Sequence, residues 1–284
     1  MAYNKDDNSK LRSLQLRELE IMRIFSEVCD RHHLRYYIVG GTMLGAVRHK
    51  GFIPWDDDMD VAMPRPDYEK FLTLVRPELP EGYDFLNYKQ NPEYKRYFSR
   101  IVDKRIRVVN ASNTHTIVEN AWLDIFPLDG MPKGTLRMRL HFWRMTFWRL
   151  LYHASCFDEL VNLNRPGRPL YQRLIIRFLA KTHFGAKLDT KALMLRLERG
   201  LTKYPYDASS HMVSFFGAYM TREIVDKRLL GAGKKYPFET LTLNGPEQYD
   251  AFLTHFYGDY MTPPADNDKD KHNIETIEYD RPGA

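Results

Sequence analysis

A chain of 284 residues can bury a full core without staples and reads as one large domain or two closely joined ones. Its 43% hydrophobic, 28% charged and 13% aromatic content excludes disordered, collagen-like and low-complexity classes, and the two isolated cysteines, Cys29 and Cys156, exclude a disulfide framework or a cysteine-based zinc site. The net charge of +5 is uneven: residues 131–200 hold 14 Lys/Arg against 4 Asp/Glu, and the remainder is net negative, so the two parts face different partners.

In chain order, residues 10–31 predict an amphipathic helix, with Leu14, Leu16, Leu19, Ile21, Met22, Ile24 and Phe25 on a broad apolar face. Tyr36–Val39 is a short buried strand closed by Gly40-Gly41. Thr42 is then expected to cap a short helix through Val47, and Gly51 ends the basic turn Arg48-His49-Lys50. A strand is expected from Asp56 to Met63, and Asp67, after Pro64 and Pro66, caps a helix from Tyr68 to about residue 75. Further strands follow at 83–87, 97–109 and Ala121–Pro127, with Asp129-Gly130 as a turn. Residues 135 to about 202 read as helical with a break at Asn162–Pro169. Residues 208–262 are mixed, with a helix near 247–257, and the charged tail after Pro264 reads as loosely ordered. Irregular alternation of strands and helices indicates an α/β class with a mixed, α+β-type sheet rather than a doubly wound one. The expected organisation is a catalytic core at 1–130, a basic helical segment at 131–205, and a part at 206–284 that completes the catalytic domain. The start, MAYNKDDNSKLRS, lacks an apolar signal core, and no run approaches about 18 apolar residues, so a soluble cytoplasmic protein is expected.

The most informative stretch is Gly40 to Asp67, GGTMLGAVRHKGFIPWDDDMDVAMPRPD. Strand alternation puts Asp56, Asp58 and Asp60 on one face and Asp57 on the other. Carboxylates grouped in this way repel strongly, and a divalent cation between them removes that cost. An oxygen-only set without His or Cys favours Mg²⁺ or Mn²⁺. An EF-hand is excluded, because the sixth position from Asp56 is Val61 rather than Gly. Upstream, Gly40, Gly41 and Thr42 let the backbone approach an anion with free helix N-terminal N–H groups aimed at it. Metal-binding carboxylates beside an N–H cradle suit phosphoryl or nucleotidyl transfer.

GGTMLGAVRHKGFIPWDDDMDVAMPRPDY resembles the signature of the LicD family, which includes bacterial phosphocholine transferases and fukutin-related sugar-phosphate transferases. Ala121-Trp122-Leu123-Asp124-Ile125-Phe126-Pro127-Leu128-Asp129 resembles the family's later acidic strand, and Phe256-Tyr257-Gly258-Asp259-Tyr260-Met261 is a third, weaker match. The resemblance spans about residues 20–265 and implies a nucleotidyltransferase-like fold of the DNA polymerase β type. It further implies that Asp58 and Asp60 bind metal with Asp56 in or beside the same shell, and that Asp124 is the third carboxylate. Asp124 is assigned as general base, taking the acceptor hydroxyl's proton, and its apolar strand neighbours suggest a carboxyl shifted upward. Arg48 and Lys50, with His49 between them, can bind a diphosphate or neutralise the leaving nucleotide, and Arg100 can face the same site. Where the family has Thr after Asp103, this chain has Arg105-Ile106, which removes any assigned role from that loop.

The resemblance implies CDP-choline as donor, a lipid-linked or cell-surface glycan of teichoic acid or lipopolysaccharide type as acceptor, and CMP as leaving product. A choline headgroup needs aromatic faces, for which Trp55 is the first candidate, with Trp122, Tyr219 and Tyr257 as others. Ribitol, glycerol or ethanolamine phosphate as the transferred group stays open, as does nucleotidyl transfer on the same core. The non-enzyme alternative is an inactive membrane-associated scaffold for glycan assembly. Leu136–His153, with Leu140, Trp143, Phe147, Leu150 and Leu151 in one stripe, and Leu170–Phe184 are basic amphipathic helices that suit peripheral docking on an anionic membrane, here the inner face of the cell membrane. The same stripes equally suit packing on the core with snorkelling arginines. No nucleic-acid-binding module is recognisable, and no nucleic acid partner is expected.

Overall fold

The computed structural model describes residues 5–91, 93–110, 117–157, 177, 181, 184–265 and 274–279. Helix α1 (Lys5–Arg31) lays Leu14, Ile21, Met22 and Phe25, which share one face, on a mixed sheet. Strand β1 (Tyr37–Ile38), helix α2 (Gly40–Arg48), strand β2 (Asp60–Pro64) and helix α3 (Arg65–Glu78) follow. Strands β3 (Tyr83–Leu86), β4 (Ser99–Asn110) and β5 (Ile117–Gly130) then lead to helix α4 (Thr135–Ser155) and helix α5 (Thr190–Leu201). The described chain closes with β6 (His211–Val213), β7 (Ile224–Asp226), β8 (Lys234–Phe238), β9 (Leu241–Gly245), α6 (Tyr249–Tyr257) and β10 (Ile274–Tyr279).

The main sheet has the order β1-β2-β5-β4-β10, with β3 also on β4 and the β6–β7 pair continuing from the end of β5. Among the described residues only β2 and β5 run parallel; the other pairings are antiparallel, so the sheet is mixed as the irregular element order predicts. Strands β8 and β9 form a separate hairpin. One apolar core lies among α1, α2, α3, the sheet and α6. A second gathers Met138, Phe142 and Met145 of α4 with Met194 and Leu197 of α5 and Phe215. Tyr88, Tyr97 and Phe216 stack face to face beside that second core, at 5.4 and 4.6 Å between centroids.

Several boundaries differ from expectation for identifiable reasons. The strand expected from Asp56 starts only at Asp60. Before it, the Asp56 N–H closes a turn onto the Ile53 carbonyl around Pro54, and the Gln15 amide donates to the Asp56 carbonyl at 2.9 Å. Helix α3 starts at Arg65, since Pro66 suits a first turn; Asp67 lies inside that turn and takes a hydrogen bond from Arg35 at 2.7 Å instead of capping. Asp129 is no turn residue: it is buried in β5, forked by Arg65 at 2.7 and 2.8 Å. The tail expected to be loose contributes β10, antiparallel to β4. The Asn162–Pro169 break lies outside the described residues, as does nearly all of the Leu170–Phe184 helix.

Candidate active site

Strand register assembles the centre of the site. Asp60 on β2 lies directly opposite Asp124 on β5, and Asp124 in turn lies opposite Arg100 on β4, so two acids and a base form one row across three neighbouring strands. Arg100 forks onto Asp124, with Nε to Oδ1 at 2.5 Å and Nη2 to Oδ2 at 3.3 Å, and it reaches Glu119 at 2.9 Å. The strand neighbours Leu123 and Ile125 turn into the core, while the Asp124 carboxylate is set by this guanidinium. Burial weakens the hold of the Arg100 guanidinium on its proton, but Asp124 and Glu119 together strengthen it more, and the net direction is upward.

The glycine turn sits against the same acids. Helix α2 begins at Gly40, with Val39 as its cap residue. Thr42 is therefore inside the first turn rather than a cap, and its hydroxyl accepts the Asp60 N–H at 2.8 Å, tying α2 to β2. Gly40 has φ +58°, and a Cβ there would stand 2.9 Å from the Asp60 Oδ2; one on Gly41 would stand 2.3 Å from the Asp56 Oδ2. Glycine is needed here because carboxylates press on the backbone, a reason the sequence does not reveal.

The acidic run departs from strict alternation. One carboxylate oxygen from each of Asp56, Asp57 and Asp58 lies within 4.8 Å of the others. Asp57 therefore joins its neighbours instead of facing away, because these residues precede the strand and the period of two does not govern them. Glu18, from α1, was not foreseen. It is fully buried with both carboxylate oxygens lacking a hydrogen-bond partner, and burial, then the charges of Asp58, Asp57, Asp56 and Asp124, push its carboxyl well above the usual range. Burial with Asp58, Asp124 and Asp56 does the same to Asp60. This concentration of oxygen donors, with orphaned carboxylate atoms at its edge, fits a hard dication such as Mg²⁺ or Mn²⁺.

A cavity of about 480 Å³ opens over the row, and Gly40, Gly41, Asp58, Asp60 and Asp124 line it. Its far side is formed by a loop after β6 and by α6: Phe216, Tyr219, Glu223, Phe256 and Tyr257, with Arg149 entering from α4. Arg48, Lys50, Trp55, Thr42, Arg100 and Asp56 are not among its lining residues. Arg48 donates to the Tyr260 carbonyl at 2.9 Å and lies over the Trp55 ring, close enough to Asp56 to feel its charge. Lys50, at φ +60°, donates to the Val47 carbonyl. Trp122 is buried beneath the Arg100 guanidinium at 4.8 Å, so of the four aromatic candidates only Tyr219 and Tyr257 face the cavity. Arg105 forks onto the buried Asp103, and neither reaches the cavity.

Residues 33–142 match a family model described as LicD/FKTN/FKRP, nucleotidyltransferase domain, which spans the glycine turn and both acid-bearing strands. Over these residues the chain resembles the LicD family. It is 29% identical over 283 aligned residues to the lipopolysaccharide cholinephosphotransferase LicD of Haemophilus influenzae, an alignment covering 93% of this chain and 96% of that one. A shorter match, 38% over 65 residues, joins it to an uncharacterised protein of Rickettsia prowazekii, covering 22% of this chain and 24% of the relative. A third, 31% over 90 residues, is to an uncharacterised Rickettsia typhi protein, covering 32% and 24%. The family match ends at residue 142, so Arg149 and the whole far wall of the cavity lie outside that segment.

Proposed function

We propose that this chain, a phosphotransferase similar to LicD-family proteins, moves phosphocholine from CDP-choline to a hydroxyl of a cell-surface glycan and releases CMP. The observation that carries this reading is the convergence of Asp58, Asp60 and Asp124 with the α2 N-terminus on one cavity. The relationship to the Haemophilus transferase supports choline phosphate and a glycan acceptor. The glycine turn followed by paired strand acids supports a DNA polymerase β type of nucleotidyltransferase core.

In this proposal Asp58, Asp60 and Asp124, with Asp56 beside them, hold Mg²⁺ or Mn²⁺, which supplies charge neutralisation for the diphosphate. The N–H groups of Gly40 and Gly41 bind phosphate oxygens, since the first N–H groups of a helix have no partner within it. Arg100 fixes the orientation of Asp124, whose carboxylate accepts the proton of the acceptor hydroxyl. The hydroxyl oxygen forms a bond to the phosphorus carrying choline, the bond from that phosphorus to the bridging oxygen breaks, and CMP departs with the electron pair. Arg48 lies beyond the cavity wall, close to Asp56, and serves in this scheme to steady the acidic run rather than to touch the donor.

The proposal extends to location. Leu136, Leu140, Trp143, Phe147 and Leu150, spaced four and three apart on α4, are 54–71% exposed, and Arg137, Arg139 and Arg144 are exposed beside them with no acidic residue on the helix. An outward apolar stripe edged with arginines suits a cytoplasmic protein resting on an anionic membrane surface, where lipid-linked acceptors are found. Among the described residues no helix is long and apolar enough to cross a membrane. The proposed organisation keeps a catalytic part made of residues 1–130 and 206–284 with a helical segment at 131–205, and the second core, which takes Tyr88, Tyr97, Val213 and Phe215 as well as α4 and α5, joins that segment to both.

The test is purified protein with Mg²⁺ and CDP-choline, CDP-ribitol, CDP-glycerol or CDP-ethanolamine, with CMP followed by chromatography. Slow hydrolysis fastest with CDP-choline, and lost in Asp60→Asn, is expected. Preference for another donor, or release of diphosphate from a nucleoside triphosphate, overturns the choline assignment.

A further inference from the structure

The far wall of the cavity has a composition unlike that of the acidic row. Tyr219, Phe256 and Tyr257 stand with centroids 5.6, 5.7 and 6.4 Å apart in the three pairings, a continuous patch of ring surface that curves around the loop after β6. Next to it lies Glu223, only 6% exposed. Its carboxylate accepts the Tyr219 N–H at 3.1 Å and has no ion-pair partner among the described residues. It is folded so closely on Gly217 that a Cβ there would meet its Oε1 at 2.1 Å. The charge of Arg149 reaches it, but the guanidinium donates to the Phe215 carbonyl at 2.8 Å and lies over the Phe215 and Phe216 rings instead of forming an ion pair. A buried carboxylate outside any ion pair, at the edge of an aromatic patch, is costly unless a further positive charge arrives from outside.

We propose that Glu223 with Tyr219, Phe256 and Tyr257 forms a subsite for a quaternary ammonium headgroup. The inference rests on the phosphocholine reading and adds the residues that select choline. A trimethylammonium group cannot donate hydrogen bonds, so it gains most from ring faces and from a carboxylate at van der Waals distance, which is what this wall presents. A polyol chain would need a series of hydroxyl partners, and the wall is mostly hydrocarbon there. Tyr257 spans the two halves of the cavity, because the charges of Asp60 and Asp56 reach its hydroxyl. The headgroup would thus be held at one end and the diphosphate at the other, matching the short carbon link between nitrogen and phosphorus in phosphocholine.

The experiment has two arms. In the first, tetramethylammonium is titrated into the wild-type protein by calorimetry and as a competitor of CDP-choline hydrolysis. In the second, KM and kcat are compared for CDP-choline and CDP-glycerol in wild type, Glu223→Gln and Tyr219→Leu, with circular dichroism to check folding. Competition by tetramethylammonium is expected. So is a KM for CDP-choline raised about tenfold in each variant, with kcat/KM for CDP-glycerol within about twofold of wild type. Equal losses on both donors overturn the subsite and make Glu223 a proton acceptor or a packing residue. Hydrolysis of CDP-choline by wild type with no competition by tetramethylammonium overturns the subsite alone. No hydrolysis of CDP-choline by wild type beside turnover of another donor overturns the choline reading itself.

Discussion

Replacing Glu223 by Gln should make the protein more stable at neutral and alkaline pH, by an amount that the burial of this side chain sets. Burial raises the Glu223 carboxyl from its ordinary 4.5 to about 7, against smaller opposing effects of the Tyr219 N–H and of Arg149. A carboxyl raised on folding is held neutral more tightly in the folded protein. Below about pH 4.5 folded and unfolded chains are both protonated and the side chain costs nothing. Between about pH 4.5 and 7 the unfolded chain gives up the proton while the folded one keeps it, so stability falls across that window, and above about 7 the folded protein bears a desolvated charge. At about 1.4 kcal/mol for each pH unit separating the two values, the full loss is about 3 kcal/mol. Glu223→Gln keeps an acceptor for the Tyr219 N–H and has no proton to lose. Urea unfolding followed by circular dichroism at pH 5, 6, 7 and 8 should show the two proteins close at pH 5 and the variant ahead by about 3 kcal/mol at pH 8, with the urea slope unchanged. Identical pH slopes would refute the assignment of a buried carboxylate that no ion pair neutralises.

Millimolar Mg²⁺ or Mn²⁺ should raise the melting temperature by roughly 5 °C or more, since a hundredfold excess over the dissociation constant contributes about 2.7 kcal/mol; the double variant Asp58→Asn/Asp60→Asn should show no such shift. Gly41→Ala places a methyl group 2.3 Å from the Asp56 carboxylate, so donor hydrolysis should fall about 100-fold in a steady-state assay while thermal stability changes little. Trp143→Glu with Phe147→Glu should abolish sedimentation with anionic liposomes and leave hydrolysis of soluble donor intact, because both side chains point away from the second core. Sedimentation of the wild type should weaken as salt rises.

The near side of the site was legible because its residues are contiguous and chemically unusual: a Gly-Gly turn, then closely spaced acids, then a second acidic strand. Register did the rest, and register follows from apolar strands that tolerate one pairing only. Legibility ended where local periodicity ended. Asp57 was assigned to the wrong side because Pro54 and the Gln15 hydrogen bond hold Asp56 in a turn. Glu18 left a signal that was there to be read, an acid four residues after Leu14 and three before Ile21 on the inward stripe of α1. Arg149 left the same kind of signal, lying between Met145 and Tyr152 on the inward face of α4 rather than among the solvent-facing arginines. The far wall left none, since nothing local distinguishes Phe216, Tyr219 and Glu223 from ordinary loop residues. Only the fold brings them over the acids.

The acid pair opposite Arg100 depends on how two neighbouring parallel strands are aligned, and that alignment is all or nothing. A slip by a single residue would turn every side chain of the slipped strand to the opposite surface, and the three charges would part company. Chemistry anchored in this way resists gradual adjustment, whereas the loop carrying Tyr219 and Glu223 can change length and composition without disturbing the strands beneath it. Descendants of this chain that learn to handle a different alcohol should therefore differ around residues 214–223 and keep the acidic row untouched.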